Sequence, residues 1–438
     1  MEPPAPPAYR ARTIWAWALY DFANSAFTTL VVTFVYATYF TKALAENEIA
    51  GTALWSRGIT VTAILVAVLS PLLGAYADRT GTRKRFFLLS SLVCVVATVG
   101  LFFPVPGEAQ RALALFVIAN VAFELGNVFY NAFLPEIAPP ERIGRVSGYG
   151  WALGYVGGLI ALVLALYGLV QPETPPFGLD ASTGEHVRAT NLLVAGWFAL
   201  FALPAFFVLR EVKPEAPPGA RDVFRATFGE LGRTFREVRR FRQAARFLLA
   251  RLFYNDGLNT IFAFGGIYAA GTFGFTTEDI IVFGIALNVA AGLGAYLFGF
   301  VDDRLGGKTT ILLSLVLLTV ATALAVFAPN RTLLWVAGLL IGVAAGPNQA
   351  ASRSLLGRFV PPDRETEFYG FFAVTGKLAA FLGPLLLGAF TEAFDSQRAG
   401  VATVLFFFLV GGLLLLRVDE REGIAAAGRG PNDAPVLS

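Results

Sequence analysis

Long apolar runs, each followed by a short polar turn, fill almost the whole chain. A helix needs roughly 20 mainly apolar residues to cross a hydrocarbon layer about 30 Å thick. Twelve runs approach or exceed this length and predict twelve membrane-spanning helices, numbered here as spans 1 to 12. Their expected bounds are 14–40, 58–77, 86–103, 112–134, 147–170, 191–209, 247–270, 280–300, 309–328, 332–352, 368–391 and 400–417.

The composition points to the same class of protein. Of the 438 residues, 56% are hydrophobic and 15% are charged, whereas an ordinary soluble domain is about 25% charged. We therefore expect an all-α integral membrane protein. The single cysteine, Cys94, excludes an intrachain disulfide, and together with the single histidine, His186, it is too little for a zinc site.

The distribution of basic residues predicts the orientation in the membrane. If the N-terminus is cytoplasmic, the outer loops contain only six of the 34 Lys and Arg residues. Loops rich in Lys and Arg normally remain on the cytoplasmic side, so both termini are expected there. The six outer residues are Lys42, Arg57, Arg111, Arg188, Arg331 and Arg398.

Three polar motifs occur twice, in the same order. GAYADRTGTR at 74–83 matches GFVDDRLGGK at 299–308, and both read G-x-x-x-D-R-x-G-x-[RK]. PPERIGRVSG at 139–148 matches PPDRETEFYG at 361–370. In spans 1 and 7, Asp21, Asn24 and Phe27 match Asp256, Asn259 and Phe262. The chain is therefore expected to contain two parallel six-span halves with a substrate site between them.

The repeated loop after the second span resembles the signature loop of the major facilitator superfamily. The opening YDFANSAF at 20–27 and the Asn- and Asp-containing span 7 resemble one branch, the autophagy-related vacuolar amino-acid effluxers and their bacterial relatives. The resemblance implies the major facilitator fold, with twelve helices in two six-helix halves. It also implies transport of amino acids or similar small polar solutes by alternating access, in the direction of efflux.

The resemblance further implies a cytoplasmic gate built from the repeated loops. Asp78 and Asp303 are expected to contact the start of a helix in the opposite half, where unpaired backbone amides favour a carboxylate. Arg79 and Arg304 are expected to pair with Glu141 and Asp363 in the loops before spans 5 and 11. The remaining candidates at this gate are Gly74, Gly81, Arg83, Arg142, Gly299, Gly306, Lys308 and Arg364.

Ionisable groups inside spans are costly and usually face a bundle interior or an aqueous cavity. Asp21, Glu124, Asp256 and Lys377 are predicted about 10–15 Å from the cytoplasmic ends of their spans, at similar depth. One of the acids is expected to couple proton movement to transport. Lys377 is then a counter-ion to an acid or a site for a substrate carboxylate. The alternative for Asp21 and Asp256 is a structural role between helices.

Span 4 carries a polar stripe. Its four members are three or four residues apart and therefore share one helical face. Such a stripe predicts a water-filled path, although hydrogen bonds between helices explain asparagines in membranes equally well. The stripe comprises Asn120, Glu124, Asn127 and Asn131, and the matched Asn24 and Asn259 complete the expected substrate and proton pathway.

Five segments are expected. They are an N-terminal tail (1–13), the first half (14–209), a basic linker (210–246), the second half (247–418) and a C-terminal tail (419–438). In the linker, aromatic and aliphatic residues recur every three or four positions, which predicts an amphipathic helix on the cytoplasmic leaflet. A helix that docks a partner protein is the alternative.

The function expected is secondary transport, not catalysis. No nucleotide-binding loop, metalloprotease motif or hydrolase elbow occurs in the sequence, so we expect no cofactor, no nucleotide and no nucleic acid partner. A membrane sensor or scaffold that retains the carrier fold without transporting is the alternative. Arg outnumbers Lys by 29 to 5, which suggests a GC-rich bacterial gene and hence a plasma membrane; in a eukaryote, a vacuolar membrane is the alternative.

Overall fold

A computed structural model of the chain describes residues 10–211, 241–378, 380 and 382–429, which are almost wholly helical. Among these residues, ten helical segments are long and apolar enough to cross a membrane. The other two expected spans are also helices, Arg83–Gly100 and Arg242–Phe273, and both carry charged residues. The prediction of an all-helical membrane protein is therefore confirmed, and a helix lies along each of the twelve expected spans.

Helices of the first half extend past the expected apolar limits. Span 1 contains two segments of π-type winding, of which the first separates two α-helical segments and the second ends the span. Span 5 ends in a third such segment. The bounds are Ala11–Ala26, Phe27–Phe34, Tyr36–Tyr39 and Phe40–Leu44 in span 1; Glu48–Thr80 in span 2; Arg83–Gly100 in span 3; Ala109–Asn131 in span 4; Ile143–Ala165 and Leu166–Val170 in span 5; and Thr190–Val208 in span 6.

The second half repeats this order. Two helices lie along span 11, and short helices occupy several connections and the C-terminal region. The bounds are Arg242–Phe273 in span 7, Thr277–Leu305 in span 8, Gly307–Phe327 in span 9, Arg331–Phe359 in span 10, Glu365–Leu378 and Leu382–Ala393 in span 11, and Gln397–Leu416 in span 12. The short helices are Leu134–Ile137, Pro140–Arg142, Pro176–Gly178, Glu185–Arg188 and Glu420–Ala426.

Several helices are longer than their apolar runs, and polar residues cap the starts of spans 2, 8 and 10. Asn47 Oδ1 accepts from the Ala50 amide at 2.9 Å, and Asn330 Oδ1 accepts from the Leu333 amide at 2.9 Å. Thr276 begins span 8 by a capping box. Such caps satisfy the backbone amides that the first helical turn leaves unpaired. Hydropathy alone therefore locates the spans but underestimates their length.

Most of the expected linker helix lies outside the described residues. The part that is described belongs to span 7, whose helix begins at Arg242 rather than at the expected residue 247. Phe241 is the last of the aromatic and aliphatic residues that recur in the linker. It is buried and packs edge-on against Phe368.

Each half has its own buried core, and two pairs of spans make the most extensive contacts between the halves. Span 2 packs along span 11, and span 5 packs along span 8. One core combines residues of spans 1 to 6, and a second belongs mainly to spans 7 to 12. The two interfaces are equivalent under the sequence repeat, which is the parallel arrangement that the repeated motifs predict.

Four glycines of the repeated motifs allow the halves to approach closely. A Cβ atom at Gly74 would lie 2.5 Å from the Thr366 carbonyl oxygen, and one at Gly370 would lie 2.7 Å from the Ser70 carbonyl oxygen. At the other interface, Gly148 and Gly299 face the backbone of spans 8 and 5. Backbone packs here against backbone, as small residues permit in membranes.

We predict that Gly148→Ala lowers the stability of the folded carrier. The added methyl group would lie 2.5 Å from the Ala295 carbonyl oxygen, so the two helices must separate. Overpacking of this kind costs about 1–3 kcal/mol, and the midpoint of thermal unfolding in detergent should fall.

Gly388→Ala is the matched control, because no atom lies within 4 Å of its added Cβ. Equal unfolding midpoints for the two variants would contradict the close approach of spans 5 and 8.

Candidate functional site

A large cavity of about 1200 Å³ lies between the two halves. Its walls come from spans 1, 2, 4, 5, 7, 8, 10 and 11. At one end it stops at Asp21, Asn131 and Arg353. At the other end it reaches Lys42 and Ile280, next to the loops expected to face outward. We call the end of the bundle that contains Asp78 and Asp303 the gate face. The cavity therefore extends toward the opposite end.

The polar stripe of span 4 lies in the cavity wall over its whole length. All four members line the cavity, as do Asn24 and Asn259. Asn24 donates from Nδ2 to Asn127 Oδ1 at 3.1 Å. In the second half, Gln349 donates from Nε2 to Asn255 Oδ1 at 3.1 Å. These amides hydrogen-bond between helices while they also face the cavity, so the two expected roles coexist.

Asp21 is not a free carboxylate. Arg353 of span 10 donates from Nη1 to Asp21 Oδ2 at 2.8 Å and to Asn131 Oδ1 at 3.2 Å. It also contacts Ser147 twice, and its guanidinium lies 4.7 Å from the ring centre of Trp17. This buried ion pair joins the first half to the second and forms the floor of the cavity.

Glu124 and Lys377 form a second ion pair across the cavity. Lys377 Nζ donates to Glu124 Oε1 at 2.5 Å, and the two side chains retain 28% and 20% exposure. Span 4 belongs to the first half and span 11 to the second, so this pair also bridges the halves. Its exposure differs from that of the floor, where the Arg353 side chain is only 4% exposed. Of the two acids, Glu124 is the more accessible to water and to a solute, since its side chain is 20% exposed and that of Asp21 is 13% exposed.

Asp256 is expected to line the pathway, but it is absent from the cavity wall. It is buried in span 7, and its Oδ1 accepts from the Gly383 amide at 3.0 Å. Gly383 lies in the first turn of the helix Leu382–Ala393, where unpaired amides favour a carboxylate. The structure thus places Asp256 as a cap between helices, the alternative that the sequence left open, and the expected layer of three acids is reduced to two.

The two motif aspartates occupy equivalent places at the gate face. Asp78 accepts from the amides of Thr366 at 3.2 Å and Glu367 at 2.9 Å, in the first turn of span 11. Asp303 accepts from the amides of Gly144 at 2.9 Å and Arg145 at 3.2 Å, in the first turn of span 5. Each carboxylate therefore binds the start of a helix in the opposite half, the contact that the resemblance implies.

The glycines after these aspartates terminate spans 2 and 8. Gly81 has φ +60° and Gly306 has φ +87°, in the region that residues with a Cβ rarely adopt. The turn they form allows the next span to begin within two residues, at Arg83 and at Gly307.

Arg83 organises the ion pairs of the first motif. It contacts Glu136 at 2.5 Å, Asp78 at 3.1 Å and Glu365 at 3.3 Å, and it is nearly fully buried. Its equivalent, Lys308, turns away from the opposite half and donates from Nζ to the Leu416 carbonyl at 3.1 Å. The gate face is thus asymmetric in its cations although its aspartates are equivalent.

The expected pairing of Arg304 with Glu141 or Asp363 is corrected, and that of Arg79 stays a prediction. Arg304, Glu141 and Asp363 are exposed, and no ion pair joins them among the residues that the structure describes. Arg145 pairs with Asp303 and Arg358 with Asp302 instead. Arg145 reaches Asp303 across the two halves, whereas Arg358 and Asp302 both belong to the second half. Two further candidates have other surroundings, since Arg142 is exposed and Arg364 pairs within its own helix with Glu367.

The sequence analysis missed two arginines of the cavity wall. Arg353 lies one residue beyond the expected end of span 10, and the second repeated motif aligns it with Asn131, the last member of the polar stripe. Arg251 lies inside the expected span 7 but resembles the basic residues of the preceding linker. Alignment of the two halves would have found the first, and a count of charges within the spans would have found the second.

We predict that Arg353→Gln is strongly destabilising and that Asp21→Asn partly restores stability in the double variant. Removal of one partner of a buried ion pair leaves an uncompensated charge, at a cost of about 3–5 kcal/mol. The measurement is the unfolding midpoint of the single and double variants in detergent. Strictly additive losses would show that the two side chains act independently.

Comparisons with known proteins give the same assignment as the fold. Residues 43–428 match the family model described as "Vacuole effluxer Atg22 like". The chain is 30% identical over 430 residues to the uncharacterized MFS-type transporter YxiO of Bacillus subtilis, covering 96% of this chain and 98% of that protein. It is 23% identical to autophagy-related protein 22 of Yarrowia lipolytica, covering 84% and 76% of the two chains.

The solved structure of the proton:xylose symporter XylE, a major facilitator superfamily protein, superposes with a TM-score of 0.71 at 13% identity, over 96% of this chain and 98% of that one. At this identity the likeness concerns the fold. The match to the family model covers most of the chain and shows that the chain is related to this family. This chain therefore belongs to the Atg22-like vacuole effluxer family, within the major facilitator superfamily of membrane transporters, and it is a carrier rather than an enzyme.

Proposed function

We propose that this protein is a secondary active transporter that exports small polar solutes of the amino-acid type by alternating access, coupled to protons through Glu124. The observation that carries the proposal is the Glu124–Lys377 pair, which crosses from one half to the other inside the cavity. A solute that binds there contacts both halves at once. Its binding can therefore change the relative position of the halves, as alternating access requires.

The state described by the structure is outward-facing under this proposal. The cavity reaches Lys42 at the expected outer end of span 1, while the gate face is closed by Asp78, Asp303 and the Asp21–Arg353 floor. The excess of Lys and Arg at the gate face supports a cytoplasmic location for this face and for both termini. The relative in Bacillus subtilis and the preference for Arg support a bacterial plasma membrane.

Glu124 is the acid best placed to carry a proton. Asp256 is outside the cavity wall, and Asp21 is held by a buried arginine, whereas Glu124 is partly exposed to the cavity. Protonation of Glu124 would release Lys377, which is then free to interact with a solute. This competition links the proton to the solute without requiring a further acid.

We predict that Asp78→Ala opens the gate face. The variant loses two backbone hydrogen bonds to a charged acceptor, each worth roughly 1.5–3 kcal/mol, so the inward-facing population should rise at least about tenfold. The reporter is Trp151→Cys in the cavity wall, on a Cys94→Ser background. Its labelling by an impermeant maleimide added at the gate face should accelerate.

Asp180→Ala, in an exposed loop at the other end of the bundle, is the control and should leave the labelling rate unchanged. An unchanged labelling rate in Asp78→Ala would show that Asp78 does not hold the gate face closed.

We predict that wild-type protein in liposomes changes the internal pH when pooled L-amino acids are added, and that Glu124→Gln abolishes the change. A trapped pH-sensitive dye reports the flux. The control is Glu108→Gln, which removes an acid paired with Arg111 in the loop before span 4.

Tracer uptake without a change in pH would reject proton coupling but retain transport. Solute binding without any uptake would reject the transporter and favour a sensor that retains the carrier fold.

A further inference from the structure

One buried charge in the cavity wall has no partner of opposite sign among the residues that the structure describes; Lys42, at the outer end of the cavity, is exposed. The floor pair, Asp21 and Arg353, is balanced, and so is the Glu124–Lys377 pair. Arg251 of span 7 also lines the cavity, yet no carboxylate pairs with it among the residues that the structure describes. A buried cation without a counter-ion is costly, and it indicates that an anion is supplied from elsewhere.

The hydrogen bonds of Arg251 use only part of its capacity. Nη1 donates to the Phe372 carbonyl at 2.9 Å and to Thr375 Oγ1 at 2.9 Å. The guanidinium lies 3.5 Å from the ring centre of Phe372, which fixes its plane. Within the described residues, Nε is buried without a partner, and Nη2 donates to no acceptor. The side chain is only 5% exposed, so it is held in place with donors unused.

A purely structural role does not account for this arginine. By the repeated D-x-x-N motif, the position equivalent to Arg251 in span 1 is Ala16. Spans 1 and 5 pack against each other with alanine at this position. The shared fold therefore does not require a cation here, and the neighbouring carbonyl and hydroxyl orient the guanidinium.

Arg251 adjoins the pair that we propose to bind solute. A Cβ atom at Gly376 would lie 3.4 Å from Arg251 Nη1, and Lys377 is the next residue. The second-half wall thus presents two cations near one acid, Glu124, which already contacts Lys377. An incoming ammonium group meets no unmatched acid in this cluster, whereas an incoming carboxylate meets an unmatched guanidinium.

We propose that Arg251 binds the carboxylate of the transported solute, so that the ligand class is small monocarboxylates, α-amino acids included. The guanidinium offers a planar fork of N–H groups that suits a carboxylate, and one carboxylate balances its buried charge. This assignment rests on the proposed transport function and specifies its substrate class. The carboxylate supplies the affinity, and the amino group is secondary.

The test is equilibrium binding of a radiolabelled L-amino-acid mixture to the full chain in nanodiscs. Arg251→Gln should weaken binding at least about tenfold, since it removes a charge-assisted contact. Arg251→Lys keeps the charge without the fork and should be intermediate. Arg246→Gln is the matched control, because Arg246 lies on the same helix, is exposed and donates a hydrogen bond to the Arg417 carbonyl, outside the cavity.

Competition against wild type does not depend on how the variants fold. 3-Phenylpropanoate, which has a carboxylate and no amine, should displace the label. Phenethylamine, which has an amine and no carboxylate, should not. Equal displacement by both, unchanged binding in Arg251→Gln, or no binding of the labelled mixture to wild type would each overturn the assignment. Failure of transport itself appears separately, as absent uptake in liposomes despite carboxylate binding.

Discussion

Water is scarce inside the hydrocarbon layer, so an ionised side chain there is costly unless a group of opposite charge compensates it. This constraint determines how the two halves meet. Asp21 comes from the first half and Arg353 from the second, and neither half alone could neutralise the charge that it carries. The same holds for Glu124 and Lys377. The halves are therefore joined at the centre of the membrane by electrostatic necessity as well as by packing.

The gate face applies a different principle. Asp78 and Asp303 bind backbone amides, which cannot be altered by substitution of the partner side chains. The surrounding cations are free to differ, and they do differ between Arg83 and Lys308. The closed gate face thus has two nearly equivalent contacts to backbone amides. The ion pair at the floor, Asp21 with Arg353, instead departs from the symmetry of the two halves. The contacts shared by the two repeats therefore belong to the common scaffold, whereas the contacts that differ between the repeats include the ion pair at the floor of the cavity.

The sequence predicted the class, the twelve spans and the order of the repeats because each follows from local hydropathy and motif spacing. It also predicted that the span 4 stripe shares one face, since the helical period fixes that relation. It did not predict the partner of Asp21, because Arg353 is 332 residues away. Asp256 shares a motif with Asp21 but not a role, since its surroundings are set by the start of the helix Leu382–Ala393. Pairing across the two halves is a tertiary property that a one-dimensional pattern does not contain.

The unmatched charge of Arg251 has an electrical consequence. When a carrier exchanges access between the two sides, a net charge in its cavity moves through part of the membrane potential, which is worth about 2.3 kcal/mol per charge per 100 mV. With the interior negative, the empty cavity would be drawn toward the cytoplasm. When a bound carboxylate balances the positive charge, the change to the outward-facing state would require little electrical work. The resting potential would thus return the empty carrier to the inward-facing state after each release.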